Sequence, residues 1–146
     1  MNSIIRIKQE HISECAKLYC DVFNAKPWND NWTIETAYQR LNDISNCPHF
    51  EGVLFVEQGI FKGAIFGNYE QFYDGKHYNL REMFVATDQQ GTGIGTRLLC
   101  ELEMTLNENG ITTMMLFTSK GNKTSDFYMK NGFSEWTSMA MMGKAI

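Results

Sequence analysis

The sequence predicts a mixed α/β (α+β) fold, a mostly antiparallel central sheet flanked by helices in the order β-α-α-β-β-β-α-β-α-β. Three observations carry that expectation. Two early segments repeat their apolar residues at helical spacing, alternating segments punctuated by turn residues follow from Gly52, and a glycine-rich stretch joins a strand pattern to a helix pattern at residues 85–98. At 146 residues the chain has the length of one ordinary domain, so a single domain is expected over 1–146.

Taken in order, Ser3–Lys8 alternates as a strand does, and Ile12, Cys15, Ala16, Tyr19, Val22 and Phe23 then fall on one helical face. Residues 24–32 contain Lys26-Pro27-Trp28-Asn29-Asp30-Asn31-Trp32 and read as a loop between two helices. Thr33 is placed to cap the second helix, with Trp32 as a hydrophobic staple against Ala37. Its buried stripe is Ile34, Ala37, Tyr38, Leu41 and Ile44, and Pro48 ends it. Val53–Glu57 and Ile60–Tyr69 form a hairpin about Gln58-Gly59, the second strand weakened by Gly63 and Gly67. After a turn at Asp74-Gly75, Tyr78–Ala86 is a strand, and Leu98, Leu99, Leu102 and Leu106 mark a helix that stops at Asn109-Gly110. Thr112–Ser119 is a buried strand, Thr124–Asn131 a short helix closed by Gly132, and Phe133–Met142 a last strand. Met139, Met141 and Met142 are expected as core filler.

Thirteen basic residues against seventeen acidic ones leave a net charge of −4, which removes nucleic acid as a partner because phosphate neutralisation needs a basic face. The whole excess lies in residues 1–75, with six bases and ten acids; residues 76–146 hold seven of each. Such an asymmetry points to the sign of a partner. The cysteines, Cys15, Cys20, Cys47 and Cys100, form no C-x-x-C pair and the three histidines stand singly, so no metal site is expected and all four thiols read as buried and structural. No segment resembles a secretion signal or a membrane span, which makes a cytoplasmic setting the expectation.

Gly91, Gly93 and Gly95 sit between a strand and a helix, where they let the backbone approach a ligand and leave N–H groups of the first helical turn free for phosphate oxygens. The dinucleotide fingerprint G-x-G-x-x-G fails at Thr96, and no Gly-Lys-Ser/Thr completes a P-loop. Val85-Ala86-Thr87-Asp88-Gln89-Gln90-Gly91-Thr92-Gly93-Ile94-Gly95 resembles the Q/R-x-x-G-x-G/A motif of the GNAT superfamily of N-acetyltransferases, with Gln90, Gly93 and Gly95 carrying the match. Asn122, Phe127, Tyr128 and Asn131-Gly132-Phe133 resemble the same family's C-terminal signature. Thr87 and Ser125 depart from a proline and an alanine common at those positions, without removing a charged or hydrogen-bonding group.

The resemblance implies acetyl-CoA as acyl donor, its pyrophosphate on the N–H groups of Gly91, Thr92, Gly93, Ile94, Gly95 and Thr96, and its pantetheine arm along Phe84 and Val85, with Gln90 and Asn122 contributing. It also places an oxyanion-binding N–H near Phe84 or Val85. Glu82 is the candidate base, direct or through water, or else a strand carboxylate paired with a cation such as Arg81. Tyr128 is the candidate acid for the departing thiolate, or an aromatic packed beside Phe127 and Phe133. Asn122 alternatively only caps its helix. The acceptor cleft would draw on Asp21, Trp28, Asp30, Glu70, Tyr73 and Asp74, with Trp32 and Phe72, an aromatic and acidic set suited to a cationic small amine such as an aminoglycoside or polyamine. A protein or peptide N-acetyltransferase and a non-catalytic acyl-CoA-binding module are the alternatives, and a homodimer is left open.

Overall fold

A computed structural model describes residues 1–146. It contains β1 (Asn2–Arg6), α1 (Ile12–Phe23), α2 (Ile34–Ser45), β2 (Phe50–Glu57), β3 (Ile60–Phe72), β4 (Gly75–Val85), α3 (Ile94–Glu108), β5 (Ile111–Met115) and α4 (Lys123–Lys130). This is the expected order up to the last strand. The chain divides into two compact units, residues 1–116 and 117–146, and no helix is long and apolar enough to cross a membrane.

In residues 1–116 the strands lie in sequence order, antiparallel except for the parallel pair β4/β5. α1 and α2 bury Ile12, Cys15, Ala16, Tyr19, Ala37, Leu41 and Ile44 against Leu54, Ala64, Phe66 and Phe84 on one face of the sheet. α3 buries Ile94, Leu98, Leu99, Leu102 and Leu106 and packs on β2, β3 and β5. Thr33 caps α2 as expected: its Oγ1 accepts from Thr36 N at 3.0 Å, and Thr36 Oγ1 accepts in return from Thr33 N. Ile34, assigned to the stripe, is instead exposed; it is the first residue of α2, ahead of the turns that carry Ala37, Leu41 and Ile44 into the core.

β3 runs unbroken through both glycines that appeared to weaken it. Each marks a close approach rather than a break. A Cβ on Gly63 would press on Leu98 and Ile94, so its absence lets the start of α3 settle on the sheet, and a Cβ on Gly67 would strike the Asn79 carbonyl and the Tyr78 ring. Tyr78, fully buried, reaches across β3 at that point to donate its hydroxyl to Glu51 O at 2.7 Å. Glu51 is itself the β2 partner of Gly67.

β4 departs from simple alternation. Gly67 stands opposite Leu80 and Phe66 opposite Glu82, which leaves Arg81 as a bulge. Neighbours 66 and 67 point to opposite faces, so Leu80 and Glu82 do as well, and Glu82 joins Phe66 and Phe84 on the side of α1 and α2. β5 pairs only with Lys76–Asn79. From Leu80 to Val85, β4 therefore has no strand on that side.

In residues 117–146, Asn122 caps α4, accepting from Ser125 N at 3.0 Å, while Ser125 Oγ accepts from Asn122 N. The helix stops in a Schellman arrangement: Phe133 N donates to Tyr128 O and Gly132 N to Met129 O, Gly132 has φ +93°, and the Phe133 ring lies 5.4 Å from Tyr128. Asn131 Nδ2 adds a bond to Phe127 O at 2.8 Å. The strand expected over Phe133–Met142 is absent. A strand persists only through its ladder, and here the backbone makes a local turn instead, Met139 N to Trp136 O, with Met139, Met141 and Met142 exposed rather than filling a core.

The thiols also divide. Cys15 and Cys20 are buried on α1, Cys47 is partly buried and Cys100 is exposed, on the face of α3 opposite its Leu stripe. Burial, reinforced by Glu14, pushes the Cys15 pKa up to about 12, and burial with Asp21 raises that of Cys20. Neither α1 thiol is available as a thiolate nucleophile.

Candidate active site

Past Val85 the chain makes one 3-10 turn, Thr87–Gln89, and a glycine loop that enters α3. Gly91 and Gly93 have φ of +80° and +90°, values that exclude most side chains, and Gly93 is the residue from which α3 starts. Gln90 Nε2 donates to Val85 O at 3.1 Å and closes the loop. The first backbone bond of the helix is Arg97 N to Gly93 O, so the N–H groups of Ile94, Gly95 and Thr96, with those of Gly91 and Gly93, have no acceptor within the protein, whereas Thr92 N, expected in the same set, is turned back to Gln89 O at 3.3 Å by the tight loop. Five donors at a helix N-terminus suit the negative charge of phosphate oxygens without any basic side chain. They run directly into the edge of β4 at Phe84 and Val85, where no strand pairs on that side and an extended amide-bearing arm such as pantetheine has room to lie. Gly93→Ala is expected to raise KM for acetyl-CoA about tenfold with kcat little changed, because a methyl at φ +90° costs about 1–2 kcal/mol and shifts the donors; initial rates at varied acetyl-CoA measure it.

The bulge delivers Glu82 into a polar cluster beneath α1 and α2. Its Oε2 accepts from Tyr19 Oη at 2.8 Å and from Arg40 Nε at 2.9 Å, and the Glu82 side chain is 15% exposed against 35% for Arg40. Its cation is thus Arg40 of α2, not the adjacent Arg81. Oε1 makes no bond within the protein and is not closed off from solvent. Burial first, then the Glu82 charge and hydrogen bond, hold the Tyr19 hydroxyl far above the usual phenol range, so it stays a proton donor.

Aromatic rings wall this cluster. Tyr19 lies 4.6 Å from Phe23, 4.9 Å from Trp32 and 5.3 Å from Phe84, and Phe23 lies 5.1 Å from the partly exposed Trp28. The loop that carries both tryptophans is tied down by Asn24, whose Nδ2 donates to Trp32 O at 2.9 Å while its Oδ1 accepts from Trp32 N at 2.8 Å. Asp30 accepts from Trp32 Nε1 at 3.1 Å, and Asp21 is exposed on α1. The other acceptor candidates belong to the β3–β4 hairpin. Glu70 accepts from Asn79 Nδ2 at 2.6 Å, Tyr73 is fully exposed at the turn, and Asp74 lies 3.0 Å from Nε2 of His77, which stacks on Phe72, without hydrogen-bond geometry. The structure therefore joins Trp32 to Glu82 through Tyr19, Trp28 through Phe23 and Tyr19, and Asp30 only through Trp32, and leaves Glu70, Tyr73 and Asp74 on the β3–β4 hairpin. In residues 117–146, Tyr128 is buried between Phe127 and Phe133, and Asn122 Oδ1 is engaged in the cap.

Sequence reasoning missed Tyr19 and Arg40. Both sit in amphipathic helices, Tyr19 among core positions and Arg40 as an ordinary surface base, and only the bulge phase at Arg81 reveals that they share Glu82. A third residue, Asn68, is buried on the face of Phe66 with Oδ1 unbonded.

The acetyltransferase (GNAT) domain family matches residues 50–135, the stretch that contains Glu82, the glycine loop, Asn122 and Tyr128. Among solved structures, the chain is similar over 100% of its length to 96% of aminoglycoside N-acetyltransferase AAC(6')-Iy in complex with CoA, at 16% identity and a TM-score of 0.77. It is similar over 99% of its length to 96% of the aminoglycoside acetyltransferase meta-AAC0020 from an uncultured soil metagenomic sample, in complex with sisomicin, at 15% identity and 0.77. An integron cassette protein from the mobile metagenome of V. cholerae gives 0.81 at 15% identity, over 99% of this chain and 92% of that one. At such identities the likeness is one of fold. No curated protein matches the sequence. With the family match spanning more than half of the chain and the glycine loop built as its motif requires, the chain belongs to the GNAT acetyltransferases, whose acyl donor is acetyl-CoA.

Proposed function

We propose that this protein acetylates a primary amine of a small cationic molecule, such as an aminoglycoside or a polyamine. One observation carries the reading: five unbonded N–H donors lead into an open strand edge, and the carboxylate of Glu82 projects from that same strand. Bound acetyl-CoA supplies the acetyl group as an activated thioester. The loop from Gly91 to Thr96, closed by Gln90, holds the phosphates, and the resemblance sets the arm and the carbonyl oxygen along the edge of β4 at Phe84 and Val85. Glu82 takes the proton from the acceptor's ammonium, directly or through one water, so that a neutral amine attacks. The resemblance gives Tyr128 the role of proton donor to the departing thiolate and Asn122 a cofactor contact. The family match runs through both compact units and supports 1–146 as one domain. A cationic acceptor is supported by the acid excess in residues 1–75 and by the aromatic rings of Phe23 and Trp32 packed on Tyr19, the partner of Glu82. Burial of Cys15 and Cys20 keeps these two thiols from carrying the acetyl group, in keeping with direct attack by the amine on the thioester.

Thiol release from acetyl-CoA across a panel of aminoglycosides, polyamines and peptide N-termini tests this. Turnover with small cationic amines is the expected result. Tight acetyl-CoA binding with no turnover on any amine overturns the enzymatic reading in favour of a binding module, and turnover on peptides alone moves the acceptor to protein.

A further inference from the structure

We propose that Arg40 and Tyr19 are positioning residues for this reaction: by holding one oxygen of Glu82 between them, they fix the other at the acceptor amine. The proposal rests on Glu82 as the proton acceptor and adds what prepares it.

A glutamate at the surface of a sheet has three side-chain torsions and two equivalent oxygens, and it presents either oxygen over a broad range of angles. Here the choice is removed. Tyr19 Oη and Arg40 Nε converge on Oε2 at 2.8 and 2.9 Å, from two different helices, and Oε1 alone remains without a protein partner. Both donors are themselves held. Tyr19 is 2% exposed among Phe23, Trp32 and Phe84, and its hydroxyl cannot turn into a competing acceptor by losing its proton. Arg40 gives its Nε, the donor nearest the aliphatic stem.

The arrangement also answers a cost. A carboxylate at 15% exposure with no partner would have to be stabilised by the acceptor alone. Arg40 supplies that compensation before any substrate arrives, so the energy of acceptor binding is not consumed in ordering the base. Such preorganisation acts on the rate of the bound complex more than on acceptor affinity.

The experiment is a set of double-mutant cycles on the full chain, read by thiol release with the best amine of the panel, with melting temperatures to verify folding. Arg40→Ala and Tyr19→Phe are each expected to lower kcat about tenfold, as loss of a hydrogen bond to a charged group does, with KM for acetyl-CoA unchanged. Arg40→Lys, which retains the charge without the Nε donor, should recover only part of the loss. In a Glu82→Gln background the same two substitutions should cost little more, because residues that act through Glu82 have nothing left to act on. Full kcat in both single variants, or an equal further loss when Glu82 is already replaced, overturns the proposal while leaving Glu82 in its role. Wild-type turnover in Glu82→Gln overturns the role of Glu82 and this proposal with it, as does a wild-type protein that acetylates no amine.

Discussion

Glu82→Gln is expected to lower kcat by about 10²- to 10⁴-fold and to leave KM for acetyl-CoA unchanged, the range for removal of a general base. The substitution suits the site because glutamine matches glutamate in shape and its carbonyl oxygen can still accept from Tyr19 Oη and Arg40 Nε. The fold and the cofactor loop are thereby kept, and what is lost is the capacity to take a proton. Steady-state thiol release at saturating amine measures the effect. A kcat within about threefold of wild type would remove Glu82 from proton transfer.

Gly67→Ala is expected to have the largest effect on stability. The added methyl would meet the backbone carbonyl of Asn79 and the phenol of Tyr78, and neither can move away easily: the carbonyl belongs to β4 and the phenol is bonded to Glu51 O. Overpacking of a core costs about 1–3 kcal/mol, and a clash with main chain as well as a fully buried ring belongs at about 3. For a chain of this length that is a fall of about 10 °C in Tm. The damage should also reach the chemistry, since Gly67 is the β3 residue beside the bulge that turns Glu82 towards α1 and α2. Thermal unfolding followed by circular dichroism checks the first effect, and unchanged Tm would mean that β3 and β4 separate more easily than their register implies.

The helices and the glycine loop were legible because each rests on a local signal: apolar spacing for α1, α2 and α3, the Thr33 cap, and glycines at positions whose φ is positive. The Asn-Gly-Phe run was legible as a signature but not in its physical role. Asn131, Gly132 and Phe133 build the stop of α4, a local hydrogen-bond pattern recognisable only once the preceding helix end is fixed. Glu82 could be picked out, whereas its partners could not. Residue alternation along Tyr78, Leu80, Glu82 and Phe84 suggests one common face, and a single bulged residue, Arg81, places Leu80 on one side and Glu82 on the other. Nothing in local propensity encodes that, nor the contact between residues 42 positions apart that joins Arg40 to Glu82. Gly63 and Gly67 were misjudged for the same reason: the sequence shows a weak strand former, and only the packed sheet shows what occupies the missing Cβ's place. The last strand failed differently, since an alternating pattern states only what a segment could pair with, not that it does.

The unpaired stretch of β4 has a further consequence for the protein as a substance. An exposed strand edge is a template for any other strand, including one from another copy of the same chain, and folded proteins usually blunt such edges with charge, proline or a covering loop. Between Leu80 and Val85 the only charged residues are Arg81 and Glu82, Glu82 is turned inward to Arg40, and there is no proline. On the proposed placement, the cofactor along this edge would double as its cover. Preparations depleted of acetyl-CoA would then carry an aggregation hazard in the proposed cleft itself, and acetyl-CoA would be the natural additive for keeping concentrated stocks dispersed.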